Sequence, residues 1–445
     1  MSILIGILLV IIALLGAPLF IVIAAGALWN FTRDEFLTPL SVVENFYSIA
    51  ETPILLAIPL FTFAGYVLSE SKAPDRLVRL SNALLGRLPG SFAIVTLVVC
   101  AFFTAFTGAT GITIIALGAL LYPALKQSGY GENFSLGLIT TGGSLGLLLA
   151  PSLPLILYGI ITQQIGRSYY EHADVMAETT IDNLFIAGIL PSVLMIVLLG
   201  FYCWLQQKKS RSQDTQAKST QQKLVNKERI NLWSVFKDAI WEMPLPIIVL
   251  VGIYSGKFAI SEAAAITALY VLVVEVLILR EIPLKRLNGL IRESMLLVGG
   301  ILIILGMSLA STNYLIDQDI PTRLFEWINA RIDSPLSFLL LLNIFLLILG
   351  AFLDIFSAIV LIIPLLLPVA LGFGVHPVHL GMIFLANMQI GYMTPPVGLN
   401  LFIASYRFDK PIMQLYKSTL PFLVILLFSV LLITYLPWIS LVFIN

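Results

Sequence analysis

Long apolar runs alternate with short polar stretches along almost the whole chain. Residues 3–29, 51–69, 183–205, 236–256, 258–279, 294–316 and 419–443 are each apolar for the roughly 20 residues that a helix needs to cross a bilayer. Two more segments, 133–163 and 380–406, are as long, but glycine and proline interrupt them, in GLLLAP at 146–151 and GYMTPP at 391–396. The interruptions recur at one offset. Gly146 and Pro151 return as Gly391 and Pro396, and upstream Pro123 and Gly129 return as Pro368 and Gly374, always 245 residues on. Each interrupted helix follows an apolar run with the length of a helical hairpin, 91–125 in the first half and 336–374 in the second. Broken helices in corresponding places of two halves are the sequence signature of a carrier whose binding site lies at membrane depth.

Composition agrees with the pattern and removes other classes. Hydrophobic residues make up 59% of the chain and charged residues 11%, with a mean hydropathy of +0.98. These values describe an all-α polytopic membrane protein. Two cysteines, Cys100 and Cys203, lie in apolar runs, and His172, His376 and His379 lack metal-ligand spacing, so neither a disulfide framework nor a zinc site is expected. The net charge is zero and no basic patch suggests nucleic acid. The membrane segments contain no Ser/Lys or paired-Asp constellation for an intramembrane enzyme and no ring of basic residues for an anion channel. The first apolar run has no positive leading region and exceeds a signal sequence in length, so it reads as the first spanning helix.

Loop charges orient the spans. Residues 206–231 carry Lys208, Lys209, Arg211, Lys218, Lys223, Lys227 and Arg229, while 71–90 and 280–292 are also basic, which places all three in the cytoplasm. The stretch 164–182 holds Glu171, Asp174, Glu178 and Asp182, and 317–335 holds Asp317, Asp319, Glu326 and Asp333, which places both in the periplasm. Hairpin 91–125 then enters from the cytoplasm and hairpin 336–374 from the periplasm. The repeats are inverted, 1–205 and 232–445, joined by the polar linker 206–231. Counting the broken helices as crossings gives nine, with the N-terminus in the cytoplasm and the C-terminus in the periplasm. Residues 229–242 and 281–294 mix aromatic or apolar positions with charges and read as interfacial amphipathic helices.

The breaks carry the candidate chemistry. Proline removes a donor and interrupts the helical ladder, which leaves carbonyl oxygens free, and such backbone persists in a membrane only where protein or a water-lined cavity supplies partners. Free carbonyls suit a hard cation such as Na⁺, and half-helix N-termini suit an anion. The first hairpin tip, TGATG at 107–111, offers Thr107 and Thr110 oxygens beside Gly108 and Gly111. The corresponding place in the second hairpin is GAFLD, Gly350 to Asp354. Asp354 is either a functional carboxylate or a residue at a helix N-terminus. Glu262 reads as a cap, Glu275 as a residue nearing the cytoplasmic interface, Arg407 as a positive-inside anchor, and His376 and His379 as members of a solvated periplasmic turn. Asn387, Gln389 and Asn400 surround the second break and either orient a substrate or satisfy exposed backbone.

On these residues the chain resembles the large membrane subunit of tripartite ATP-independent periplasmic transporters. The resemblance covers almost the whole length and is carried by 350–402, by IPLFTFAG at 58–65, by TGATG and by SEAAAITALY at 261–270. It implies an elevator-type, sodium-coupled importer of a small organic anion in the bacterial inner membrane, needing no cofactor other than coupling sodium ions. It further implies a periplasmic substrate-binding protein and a small four-helix membrane subunit on a separate chain. By the resemblance one sodium site uses oxygens near Thr107, Thr110, Gly146, Leu149 and Pro151, and the second uses Gly350, Gly391, Thr394 and Val397. Substrate would lie between the hairpin tips near Gly108, Asp354, Asn387 and Asn400. Family members usually have a serine-rich first tip and a double proline in the first break, where this chain has TGATG and Ala150–Pro151. Backbone ligation survives both changes, whereas side-chain contacts to substrate need not. A stand-alone ion-coupled anion carrier, independent of any binding protein, is the alternative.

Overall fold

The computed structural model describes residues 8–9, 11–12, 17, 19–32, 40–48, 51–85, 91–166, 176, 178–213, 232–255, 257–332 and 334–444. Among these the protein is helical and contains no strand. The two interrupted segments are broken helices. The first runs Glu132–Gly142, then a 3-10 turn Leu145–Leu148, then Leu153–Gly166. The second runs Pro377–Gly391, an irregular stretch, then Leu399–Phe408. Ala150–Pro151 and Pro395–Pro396 are both cis, at equivalent places in the repeats.

Each hairpin has a leading and a returning arm, Ser91–Thr107 with Thr110–Gln127 and Pro335–Phe352 with Ile355–Gly372. The matched glycines explain themselves as turns: Gly129 (φ +85°) and Gly374 (φ +73°) end the returning arms in the left-handed region that glycine adopts most readily. Pro123 and Pro368 lie inside those arms. Arms of 18 residues rise about 27 Å at 1.5 Å per residue, a little short of a ~30 Å hydrocarbon core. Both tips end against the middle of a broken helix, so both hairpins are re-entrant.

The contacts also fix the relative direction of the repeats. Hairpin 1 packs on the leading half of its own broken helix, Glu132–Gly142, and on the trailing half of the other, Leu399–Phe408. Hairpin 2 packs on its own leading half, Pro377–Gly391, and on the trailing half of the first, Leu153–Gly166. The two leading halves therefore lie on opposite sides of the breaks, and the broken helices run in opposite senses. Trailing half and leading half meet where Tyr158 Oη donates to Pro377 O at 2.5 Å and the Tyr158 ring covers Gly381.

A second group of helices stands beside this unit. The helix Leu284–Asp317 packs on Leu19–Phe31, Leu40–Ser48 and Ala57–Glu70, and Ala57–Glu70 packs on Ile260–Leu272. Two shorter helices, Ala73–Leu85 and Ile320–Asn329, precede the hairpins at equivalent places and lie against them.

Nine helices among the described residues are long and apolar enough to span a membrane, but they differ from the nine crossings read from the sequence. Three hairpin arms qualify by length, Thr110–Gln127, Pro335–Phe352 and Ile355–Gly372, while 236–256 contracts to Pro244–Tyr254; of the first run, much of which lies outside the described residues, the helix Leu19–Phe31 is described. The last span, expected at 419–443, is Ile412–Tyr435. Residues 281–294 form no separate interfacial helix: from Leu284 they are the first turns of a 34-residue helix, because no glycine–proline break separates them from the apolar run that follows. Within 229–242 the helix is Leu232–Asp238. The helix Ile189–Gln213 extends into the linker, of which 214–231 lie outside the described residues, as do Arg87, Glu171, His172 and Asp174.

Candidate functional site

The two breaks are held by one contact built twice. Gly146 lies against the leading arm of hairpin 1, where a Cβ would come within 2.1 Å of Ala101 O and 2.4 Å of Ala105 N. Gly391 lies against the leading arm of hairpin 2, where a Cβ would come within 2.5 Å of Gly350 Cα. Ala105 and Gly350 are themselves equivalent positions. Apolar burial gives helices no net attraction for one another in lipid, so close backbone approach between small residues is what joins arm to break.

Around the first break the hairpin tip packs on residues that flank the expected ligands. Gly143 leaves Thr110 O 3.4 Å from where its Cβ would be, and Leu153 occupies the space a side chain at Gly108 (φ +63°) would take. Thr104, which sequence reasoning passed over, stands at the centre: its Oγ1 lies 2.8 Å from Cys100 O, 2.8 Å from Thr113 Oγ1 and 3.0 Å from Gly143 O. Gly146 O accepts from Leu149 N at 3.1 Å and Leu149 O from Ser152 N at 3.0 Å, so each carbonyl keeps a second lone pair. Pro151 has no N–H to give. Thr107 Oγ1 turns back to Ala109 O at 3.4 Å, and Gly65 of the neighbouring helix packs directly on the Thr107 backbone.

At the second break, backbone oxygens converge on Gly398 (φ +55°). Its N–H points to Ala351 O at 3.4 Å, and a Cβ there would meet Thr394 O at 3.0 Å and Tyr392 O at 3.4 Å. Gly350, Gly391 and Thr394 are thus neighbours, with Val397 beside them. The Thr394 hydroxyl is spent on its own helix, donating to Ile390 O at 2.9 Å. Tyr392 Oη accepts from Ile355 N at 2.6 Å and so ties the hairpin tip to the break.

The expected substrate residues divide. Asp354 caps the returning arm, accepting from Phe356 N and Ser357 N at 3.0 Å and from Ser357 Oγ at 2.5 Å. Asn400 reaches the opposite tip: its Oδ1 accepts from Thr110 Oγ1 at 2.7 Å, and its Nδ2 is buried without a protein partner. Asn387 lies elsewhere, between helices, donating to Asn343 Oδ1 at 2.6 Å and Ile383 O at 2.8 Å, while Thr434 Oγ1 shares the same Asn343 oxygen. Gln389 is wholly buried with neither end of its amide partnered.

Glu262 is a cap as expected, accepting from Ala259 N at 2.9 Å. One expectation is corrected. His379 does not sit in a solvated turn but is buried, 3.2 Å from Ser440 Oγ and from Thr434 O, because the helix it belongs to starts at Pro377 and carries it inward; His376 caps that helix. Glu275 is buried beside Arg76. Arg407 donates from Nε to Ile115 O at 3.0 Å, fastening the second broken helix to hairpin 1.

Over residues 3–439 the sequence matches the family described as tripartite ATP-independent periplasmic transporter, DctM component. The chain belongs to the DctM family. It is 32% identical over 404 residues to the C4-dicarboxylate TRAP transporter large permease protein DctM of Pseudomonas aeruginosa, covering 90% of this chain and 88% of that one. It is also 32% identical over 435 residues to the isethionate TRAP transporter permease protein DctMQ of Oleidesulfovibrio alaskensis, covering 96% of this chain but spanning only 64% of that longer relative. The fold is similar to the crystal structure of the Alcanivorax borkumensis YdaH transporter, with a TM-score of 0.60 at 14% identity and coverage of 91% and 88%. As a DctM-family member the protein is a multi-pass membrane permease component of a tripartite ATP-independent periplasmic transporter and not an enzyme. The re-entrant hairpins and opposed broken helices are the form this takes here.

Proposed function

We propose that the protein imports a small organic anion of the carboxylate or sulfonate class across the bacterial inner membrane, driven by sodium, with the N-terminus in the cytoplasm and the C-terminus in the periplasm. The observation that carries this reading is the duplicated junction, Gly146 on Ala105 and Gly391 on Gly350, each beside carbonyls with lone pairs to spare. Oxygen-only, carbonyl-rich sites suit a hard monovalent cation, and two such sites flank one substrate position. Sodium at the first site would be held by oxygens of Thr107, Thr110, Gly146, Leu149 and Pro151, and at the second by those of Gly350, Gly391, Thr394 and Val397. The anion would lie between the tips, where the Asn400 amide has a free donor. Delivery by a periplasmic binding protein and a scaffold shared with a small four-helix subunit fit the family. Two relatives at the same 32% identity are named for a dicarboxylate and a sulfonate, which supports the class of cargo and leaves its identity to the binding protein. Movement of the hairpin and broken-helix unit against the helices around Leu284–Asp317 would carry the site across as an elevator.

The test is uptake into proteoliposomes by this chain with its partner subunit and binding protein. Replacing Na⁺ by choline abolishes uptake if the reading is right. Uptake indifferent to that exchange but driven by a proton gradient overturns sodium coupling, and uptake by this chain alone overturns the tripartite assignment.

A further inference from the structure

Outside the residues of the two breaks, one guanidinium holds three carboxylates. Arg76, on the helix that leads into hairpin 1, has Nε and Nη2 2.5 Å from Glu242 Oε1, Nη1 2.5 Å from Glu281 Oε1, and Nη2 3.2 Å from Glu275 Oε1. The backbone N–H of Lys72 donates to Glu281 Oε2 at 2.7 Å. Glu242 and Glu275 are 2% and 1% exposed, and Arg76 is 12% exposed. With every carboxylate ionised the cluster carries two negative charges in excess, which a low-dielectric surrounding resists strongly.

One carboxylate oxygen of the cluster is left without a partner. Glu242 Oε2 is buried and accepts no hydrogen bond, whereas both oxygens of Glu275 and of Glu281 are engaged. Glu242 lines a very small cavity, of about 10 Å³, whose other walls are apolar, among them Leu68, Leu77, Phe102, Phe103 and Phe106. The phenylalanines belong to the leading arm of hairpin 1, and Phe106 immediately precedes the tip residue Thr107. Charged and titratable neighbours come from every side except that arm: Arg76 from the connecting helix, Glu275 and Tyr270 from the helix starting at Ile260, and Glu281 from the loop after it. Tyr270 Oη donates to Trp241 O at 2.8 Å, and Lys237 and Asp238 on the preceding helix are exposed. A sodium ion would need several oxygens, and the cavity offers one. A proton needs only one.

We propose that Glu242 is a proton-binding site beside the tip end of the first hairpin's leading arm: with a proton on Oε2 the Arg76 cluster is closed and the helix Ala73–Leu85 is held, and without it the cluster opens and that helix is released. The proton comes from water and converts the carboxylate to the acid, with no other bond formed or broken. Burial pushes the Glu242 carboxyl above its ordinary value, and the opposing pull of Arg76 is the smaller effect. A carboxyl raised in the folded chain stabilises it fully below the ordinary glutamate range, and the contribution is lost as pH rises through the folded-state transition.

Infrared difference spectroscopy of the full chain in lipid, titrated from acid to alkaline pH, tests the site without transport, so it stands or falls apart from sodium coupling. The expected result is a carboxylic-acid carbonyl band that persists above the ordinary glutamate range and disappears in Glu242→Gln. Hydrogen exchange supplies the second readout. Corrected for intrinsic chemistry, opening of residues 73–85 should rise about tenfold per pH unit through the transition, as loss of one proton requires, and be independent of pH in Glu242→Gln. A native chain without the band, a band unchanged by Glu242→Gln, or pH-independent opening of 73–85 in the native chain overturns the proposal. Should Glu242→Gln fail to fold, Glu242→Asp withdraws the carboxyl from the cavity by one methylene, and a band left in place by that change overturns it equally.

Discussion

The first and second breaks share their glycine, their cis proline and their junction with a hairpin, yet one is covered and the other is open. Gly146, Leu147, Leu148, Pro151 and Ser152 are buried, and Gly188 approaches so closely that a Cβ there would lie 1.9 Å from Leu148 O. At the second break Pro395, Pro396, Val397 and Leu399 are exposed, Val397 by 41%, and Tyr416 Oη donating to Pro396 O at 3.1 Å is a contact at its edge. Local sequence built the same backbone twice, and the neighbours decided which copy the rest of the chain covers. A carrier with inverted repeats is expected to look like this in any one state, since symmetric exposure of both breaks would leave a leak.

The largest effect should come from filling the shared junction. Gly146→Ala puts a methyl into the Ala101 and Ala105 backbone, which cannot turn aside, and should cost roughly 3 kcal/mol or more and abolish uptake. Gly391→Ala strikes Gly350 at 2.5 Å on the open side and should cost less, about 1–2 kcal/mol, as read by thermal unfolding in detergent. A larger loss at Gly391 than at Gly146 would break the comparison. Next is the bond across the repeats: Asn400→Leu strands the buried Thr110 hydroxyl and should cost about 1–3 kcal/mol and lower uptake. Accessibility is then read directly, with Cys100 and Cys203 buried and silent. Val397→Cys should react with a hydrophilic maleimide at least about tenfold faster than Leu149→Cys, a difference of ~1.4 kcal/mol in activation free energy; equal rates would mean that the two breaks open together. The smallest effect belongs to Thr394→Val. Its hydroxyl serves Ile390 O, so sodium activation should shift by less than about threefold, under ~1 kcal/mol, and a larger shift would make that hydroxyl a ligand.

Much of the architecture was legible before any coordinates. The offset that pairs Gly129 with Gly374 and Pro151 with Pro396 marked two equivalent places where the helical pattern is interrupted, because glycine and proline act on their own backbone; that the first pair are left-handed turns and the second cis peptides came from the structure. Glu262 as a cap followed from local chemistry as well. Less could be read where partners are remote. Nothing in the sequence around Glu275 pointed to Arg76, 199 positions away, which the fold brings beside it. Thr104 looked like one small residue among many in an apolar run. His379 looked like part of a turn because its helix boundary is set by the Pro377 start, two residues earlier. The long helix from Leu284 joined two segments that composition alone separated.

The sequence by itself determined that this is a membrane protein of two repeats, that each repeat contains a hairpin and a broken helix, and where the breaks fall. Those properties depend on apolar length and on residues that dictate their own φ or lack their own N–H. Tertiary structure alone decided that hairpin 1 meets the trailing half of the second broken helix, that Thr110 finds Asn400, that the first break is covered while the second is open, and that three carboxylates share Arg76. Each of those depends on which distant backbone lies within a few ångströms, and a linear pattern of apolar and polar positions carries no record of that distance.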